Sequence, residues 1–216
     1  MKIRSIGEFE DIVAKEYSWR RKELTNIRNL SLSSEMDIKK ILLKSGIVFL
    51  YSHWEGFVKK VAIAYCEYIN HQGLRYKQLI PGLCASVLLE KFNFEEKGIR
   101  QNYKTVLSLV DRTVLEEKCH INSEEYINTR SNLNSDVLKE ITIKIGVDYA
   151  PYELKENLID RKVLAFRNAV AHGDYRPIEE KDSIEIIENF DEITQLIELF
   201  RDQVLAAAMQ QSYKLR

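Results

Sequence analysis

The feature that most constrains the fold is a long stretch, residues 35–70, in which apolar side chains recur at helical spacing. The chain contains only three prolines and eight glycines, a composition that disfavours a turn-rich all-β fold and favours long helices. Because residues three and four apart share one face of an α-helix, the stretch is predicted to be a single helix that forms the backbone of the fold. Its apolar stripe comprises Ile47, Leu50, Trp54, Val58, Val61, Tyr65 and Tyr68.

The same periodicity predicts helices along most of the remaining chain. Ser34 is the expected N-cap of the long helix, and Asp182 or Ser183 that of a long final helix. One segment is ambiguous, because residues 137–145 fit a helix ended by Gly146 while residues 141–145 alternate like a strand, and the helical context favours the helix. The other predicted helices are residues 8–29, 84–89, 103–110 and 151–173, the last opened by Pro151.

These elements predict an all-α fold, a bundle of long antiparallel helices. With 216 residues, of which 45% are hydrophobic, the chain fits a single domain over residues 1–216. The bundle core is expected in about 35–73 and 152–211. Residues 74–150 are expected to form a helical insertion whose detailed fold the sequence does not define.

Charge and cysteine content restrict the partners and the compartment. The 32 basic and 33 acidic residues give a net charge of −1, so nucleic acid would have to be bound through a local basic patch. The three cysteines lack CxxC spacing, and the pair Cys119-His120 has no further ligands at zinc-finger spacing. Without an apolar leader or a membrane-length apolar run, the chain is expected to be cytoplasmic and to have no membrane partner.

The run from Arg167 to Gly173 is the strongest candidate for a functional site. On a helical wheel Ile159, Val163, Phe166 and Val170 lie within about 40° of one another and form a core-facing stripe. The residues on the opposite face are Arg161, Leu164, Asn168 and His172, with Arg167 to one side. Gly173 suits the left-handed position after a helix end, so His172 is expected in the last turn.

The common phosphate-loop, dinucleotide, zinc-protease and nucleophile-elbow motifs are absent, but these residues suit cleavage of an RNA phosphodiester. Histidine can accept the 2′-hydroxyl proton or protonate the leaving oxygen near neutral pH. Arg167 can bind two phosphate oxygens through its planar fork, and Asn168 can orient the imidazole or contact substrate. The chemistry needs no metal and no cofactor. The alternative is a surface arginine followed by a helix-terminal histidine.

Four further residues are supporting candidates. Arg161, Lys162 and Arg176 could form a local phosphate-binding patch, although a scattered arrangement is equally compatible with the sequence. Glu55 lies at the edge of the apolar stripe of the long helix, where a partly buried carboxylate needs a cationic or amide partner. We expect that partner to be Arg167 or Asn168, and the alternative is an ordinary boundary glutamate.

The motif Arg167-Asn168-x3-His172-Gly173, which follows an amphipathic helix, resembles the HEPN family of helical nucleotide-binding and RNase domains. The run from Tyr51 to Lys59, with Glu55 before a glycine, is similar to a second signature of the MAE-type HEPN subgroup. Together the two matches cover about residues 35–210, and the segment between them agrees only in its helical character.

This resemblance implies an all-α bundle that dimerises so that two motif helices build one cleft. Arg167 and His172 would be the catalytic pair, assisted by Asn168 and supported by Glu55, in a metal-independent endoribonuclease. The implied role is a toxin or defence effector that acts on RNA and is controlled by an antitoxin or regulatory protein. The alternatives are a non-catalytic module that binds RNA, nucleotides or protein, and a small-nucleotide sensor. Asp174 stands where tyrosine-modified HEPN toxins carry the tyrosine, so that regulation is not expected.

Overall fold

The structure, a computed structural model, describes residues 2–92, 99–174 and 177–215. Its helices are, in chain order, α1 (Ile6–Ser33), α2 (Met36–His71), α3 (Pro81–Phe92), α4 (Ile99–Val110), α5 (Ser123–Tyr126), α6 (Ser135–Ile145), α7 (Ala150–Glu153), the π-helix Leu158–Leu164, α8 (Ala165–Ala171) and α9 (Glu180–Met209). Short 3₁₀ turns lie at Tyr76–Gln78 and Thr113–Glu116.

This architecture confirms the predicted all-α class. Over the described ranges β pairing is limited to two isolated bridges, which join Arg75 to Lys118 and Leu79 to Lys214. No helix in these ranges has the length and apolar character that a membrane crossing requires. The ambiguous segment is the helix α6, which ends as predicted at Gly146 in the left-handed conformation, with φ of +70°.

Helices α1, α2 and α9 form the centre of the bundle. α1 and α2 are joined by only two residues, so they run antiparallel, and Phe9 near the start of α1 stacks on Tyr68 near the end of α2. α9 also runs antiparallel to α1, because Arg28 of α1 pairs with Asp191 of α9 at 2.7 Å while the Tyr17 hydroxyl donates to Glu198. α2 and α9 are consequently parallel, so the predicted antiparallel arrangement holds only for α1 against each of them.

The centre of the bundle is closely packed around large aromatic side chains. Trp54, Phe57 and Phe200 are fully buried, and the rings of Phe57 and Phe200 meet edge to face. At Gly46 the helices approach so closely that a Cβ atom would lie 2.9 Å from the ring of Phe190. This glycine therefore permits α2 to pack against α9, although glycine in a helix interior is otherwise unfavourable.

The segment between α2 and the motif is part of the same core. Buried residues from this segment join one hydrophobic cluster with those of α1, α2 and α9. Tyr126 of α5 is buried, and its hydroxyl donates to the carbonyl of Lys144 and is hydrogen-bonded to the hydroxyl of Ser86 of α3. Asn70 of α2 exchanges two hydrogen bonds with the backbone of Ile121. The predicted helical insertion is thus a packed layer on α2.

The structure corrects three predicted helix boundaries. Ser34 does not cap α2, because its hydroxyl donates to the carbonyl of Leu30 and closes the end of α1. Asp182 is the third residue of α9, and its carboxylate accepts the backbone N–H of the N-cap residue Glu179 in a capping box. α9 therefore begins earlier than predicted. Pro151 opens only the single turn α7. This turn ends at a hydrogen bond from the N–H of Lys155 to the carbonyl of Tyr152.

Candidate functional site

The candidate site lies at the end of a helix whose winding changes along its length. In the π-helix Leu158–Leu164 the backbone bonds span five residues, as in the bond from the N–H of Ala165 to the carbonyl of Asp160. α8 then continues with ordinary winding to Ala171. These two segments together are called the motif helix below.

The wider winding of the π-helix changes which side chains face the core. Ile159, Val163 and Phe166 are buried and Val170 packs against the core, as the helical wheel predicts. Leu164, predicted to point away from the core, is buried as well, so that prediction is wrong. A turn of π-helix contains more residues than a turn of α-helix. A helical wheel drawn with α-helical spacing therefore gives the wrong direction for side chains in this segment.

The motif helix ends in a hydrogen-bonded C-cap around Gly173. Gly173 has φ of +77° and its N–H donates to the carbonyl of Val170, while the N–H of Asp174 donates to Ala169. This pair of bonds is the Schellman arrangement that closes a helix end. The sequence predicts that His172 lies in the last turn. It is the C-cap residue, one position beyond the last helical residue Ala171, and it is exposed.

Arg167 is held at several points. Its Nη1 donates to the side-chain oxygen of Asn168 at 2.7 Å, and its Nη2 donates to the carbonyl of Ser131 at 3.1 Å. The guanidinium carbon lies 4.0 Å from the ring centre of Tyr51, a cation–π distance. With 19% of its side chain exposed, the guanidinium is fixed in direction and still reaches solvent. Asn168 thus orients the arginine in this structure.

Glu55 points from α2 towards the same guanidinium. Its Oε2 lies 4.0 Å from Nη2 of Arg167, and only 18% of its side chain is exposed. The expected ion pair with the motif helix is present, at the long end of such contacts. A half-buried carboxylate beside Arg167 balances its charge and limits how strongly that cation attracts a phosphate.

Tyr51 is a site residue that the sequence reasoning missed. Its ring lies under Arg167, and its hydroxyl accepts the backbone N–H of Leu133. Burial raises the pKa of Tyr51 to about 12, with the charge of Glu55 acting in the same direction, so the phenol stays neutral at physiological pH. The signals in the sequence are its position one helical turn before Glu55 and its place at the start of the run from Tyr51 to Lys59.

The loop of residues 127–134 is attached to the motif helix. Asp160 accepts hydrogen bonds from both the backbone N–H and the hydroxyl of Ser135, which follows the loop. Within the loop Arg130 and Ser131 both have positive φ, of 52° and 59°. Such a conformation is uncommon for residues other than glycine, and here it directs the carbonyl of Ser131 at Arg167.

The three predicted phosphate contacts differ in their surroundings. Lys162 pairs with Glu185 of α9 at 3.0 Å, which neutralises it. Arg161 is exposed, and no ion pair joins it to any residue that the structure describes. Arg176 lies outside the described residues. Their role as a phosphate-binding patch stays a prediction.

The second predicted signature divides between two faces of α2. Glu55 faces the motif helix, whereas Gly56 faces α1, where a Cβ atom would lie 3.0 Å from Nη2 of Arg20. Arg20 is buried, pairs with Glu16 and donates to the backbone carbonyl of His53. Gly56 thus makes room for a buried guanidinium, which is a packing role.

No group of three or more metal-ligating side chains in the described ranges is arranged to hold a metal ion. The model of the family described as RiboL-PSP-HEPN matches residues 15–206. The chain belongs to this HEPN family. Searches of curated proteins and of solved structures returned no match.

The HEPN match includes most of α1, all of α2 and the motif helix, and most of α9. It therefore covers every described residue of the candidate site, including Tyr51 and the loop that contacts Arg167. The MAE-type subgroup and the roles of the Arg-x4-His residues stay predictions.

Proposed function

We propose that this HEPN protein is a metal-independent endoribonuclease in which Arg167 and His172 act on the RNA phosphodiester. The observation that supports this most is the orientation of Arg167, which is stacked on Tyr51 and hydrogen-bonded to Asn168 and Ser131. A guanidinium fixed in advance stabilises the negative charge that develops on phosphate without further reorganisation. An exposed imidazole ends the same helix five residues later.

The proposed reaction uses the hydroxyl group of the RNA as the nucleophile. An imidazole accepts the 2′-hydroxyl proton while the 2′-oxygen bonds to phosphorus, and Arg167 stabilises the charge of the phosphorane. The bond from phosphorus to the 5′-oxygen then breaks, and that oxygen receives a proton from an imidazolium. The products are a 2′,3′-cyclic phosphate and a 5′-hydroxyl, and the two proton transfers leave no net change.

A homodimer would supply one His172 from each subunit for the two proton transfers. The chain from Lys155 to Lys162 runs antiparallel to α9, because Lys155 pairs with Glu192 and Lys162 with Glu185. His172 therefore lies towards the end of the bundle where α9 begins. Apolar side chains are exposed at this same end, on the last turn of α1 and the first turns of α2 and α9, which supports its burial by a second copy. They are Leu30, Leu32, Met36, Ile38, Ile41 and Ile184.

The biological role that we propose rests on the HEPN family. We propose a toxin or defence effector that acts on RNA in the cytoplasm and is restrained by an antitoxin or regulatory protein. The net charge of −1 favours recognition of RNA through a local surface over binding along a broad basic face.

Cleavage of a labelled RNA by wild-type protein and by His172→Ala tests the proposed chemistry. We expect cleavage to persist in EDTA and the variant to lose about 10²–10⁴-fold in rate, the usual contribution of a positioned general acid or base. His71→Ala is the matched control, because His71 is also exposed near a helix end, and it should cleave normally. Inhibition of the wild type by EDTA, or equal loss in both variants, would contradict the proposal.

The second candidate function is a non-catalytic RNA-binding module. The observation that favours it is that Arg167 already has three polar partners, including Glu55. Such a module would bind RNA without cleaving it, and His172→Ala would then leave its affinity unchanged. Binding with no cleavage by a verified homodimer would support this function over the nuclease.

A further inference from the structure

Helix α4 exposes an apolar face to solvent. Tyr103, Val106, Leu107 and Val110 have the i, i+3, i+4, i+7 spacing of one helix face, and each is between 46% and 74% exposed. In a globular protein such a stripe normally faces the core. Here α4 packs mainly against the short turn Thr113–Glu116, so its apolar face has no cover from the described part of the chain.

An apolar groove lies directly beside this stripe. It has a volume of about 570 Å³ between α3, the turn at Thr113–Glu116 and the end of the chain. Leu109 connects it to α4, and Leu89, 65% exposed, forms its rim. The stripe of α4 and this groove are together called the α4 surface. Contiguous exposed apolar surfaces of this kind mark interaction sites.

Among the residues that the structure describes, cations outnumber carboxylates around the α4 surface. Glu116 forms ion pairs with both Arg75 and Lys77. The ammonium of Lys91 lies 5.0 Å from the ring centre of Tyr76, which is in the groove wall. Lys77 lines the groove. The other cations lie close in the chain to residues of the groove or the stripe, and they are Arg75, Lys91, Lys104, Arg112 and Lys214. The flanking carboxylates are Glu90, which pairs with Lys144, and Asp111, Glu116 and Glu117.

We propose that the α4 surface docks an amphipathic helix of a partner protein whose apolar face is flanked by acidic residues. The groove and the stripe together match a helix laid along α4, since such helices use anchors at the same i, i+3, i+4, i+7 spacing. Acidic flanks complement the excess of cations and favour encounter with the correct partner. A second copy of this chain would place like charges against one another, which disfavours self-association through this surface.

Two synthetic peptides of about 18 residues, or five helical turns, serve as probes. Both carry leucine at i, i+3, i+4 and i+7 positions and a fluorescent label, with glutamate at the flanking positions of one and lysine in the other. Fluorescence anisotropy at physiological salt should show the glutamate peptide binding wild-type protein about tenfold or more tightly than the lysine peptide.

Variants then locate the bound peptide. Leu107→Gln and Val110→Gln should each weaken binding of the glutamate peptide about tenfold, and Lys104→Glu should weaken it while improving binding of the lysine peptide. Leu154→Gln is the control, because Leu154 is 94% exposed and lies outside the α4 surface. Circular dichroism should show all four variants folded, since each substituted side chain is exposed.

Three results would overturn the proposal. The first is absence of binding by the glutamate peptide, and the second is equal binding of both peptides by wild type and variants, which indicates nonspecific adhesion. The third is conversion of a wild-type dimer into monomer by Leu107→Gln and Val110→Gln in light scattering, which would assign the surface to a second copy. RNA cleavage plays no part in these measurements.

Discussion

Replacing Tyr51 separates the two contacts by which it positions Arg167. Tyr51→Phe keeps the ring face that lies 4.0 Å from the guanidinium carbon, but it removes the hydroxyl that accepts the N–H of Leu133. Tyr51→Leu removes both contacts. The pair of variants therefore distinguishes support of the loop from support of the arginine.

The expected magnitudes follow from burial. Leu133 is fully buried, so leaving its N–H without an acceptor should cost about 1–3 kcal/mol of unfolding free energy in Tyr51→Phe. Loss of the cation–π contact at the partly exposed Arg167 adds about 0.5–2 kcal/mol in Tyr51→Leu, and the vacated ring volume adds to this. For a chain of this size each kcal/mol corresponds to about 2–4 °C in Tm.

Urea unfolding followed by far-UV circular dichroism measures these costs. A double-mutant cycle of Tyr51→Leu with Arg167→Met should give a coupling energy of about 0.5–2 kcal/mol. Tyr103→Leu, at an exposed tyrosine, should change stability by less than about 0.5 kcal/mol. Absence of coupling between Tyr51 and Arg167, or a Tyr51→Phe variant as stable as wild type, would refute the positioning role.

Three further predictions follow from the core and the loop. Gly46→Ala should destabilise the protein, because the clash with the buried ring of Phe190 costs about 1–3 kcal/mol and the helix-propensity gain is at most about 1 kcal/mol. Gly7→Ala should stabilise it, because the added Cβ would meet Ser5 Oγ at the ordinary contact distance of 4.0 Å. Burial lowers the pKa of His53 below 6.5, and the charge of the nearby Arg20 acts in the same direction. As the pH falls below about 6.5, the imidazole is therefore protonated in the unfolded state before it is protonated in the folded state. The free energy of unfolding should decrease over this range. Between pH 7.5 and pH 5.5 the free energy of unfolding should change less in His53→Gln than in the wild-type protein. Asp160→Ala removes both hydrogen bonds to the start of α6 and should increase amide hydrogen exchange in the loop, with no increase in α9.

The helices could be predicted from the sequence because their signals are local. Apolar periodicity identified α2 within one residue at either end. Gly173 marked the end of the motif helix, because the left-handed conformation after a helix end is one that glycine adopts readily. The burial of Leu164 could not be predicted, because a π-helix has no equally clear sequence pattern and shifts every angle counted through it.

The surroundings of Arg167 were only partly predictable. Glu55 was detectable because a carboxylate at the edge of an apolar stripe requires a partner. The carbonyl of Ser131 and the ring of Tyr51 gave no such signal. A backbone carbonyl carries no sequence information, and a tyrosine in an apolar helix is typical of an ordinary core residue.

The most direct test of the central claim uses a DNA oligonucleotide that contains one ribonucleotide. In EDTA, the wild-type protein should cut only on the 3′ side of that ribonucleotide and leave a 2′,3′-cyclic phosphate and a 5′-hydroxyl, identified by mass spectrometry, since the 2′-hydroxyl is the proposed nucleophile. The same oligonucleotide with a 2′-O-methyl group should stay intact. Cleavage at deoxynucleotides, or products with a 5′-phosphate, would contradict the account.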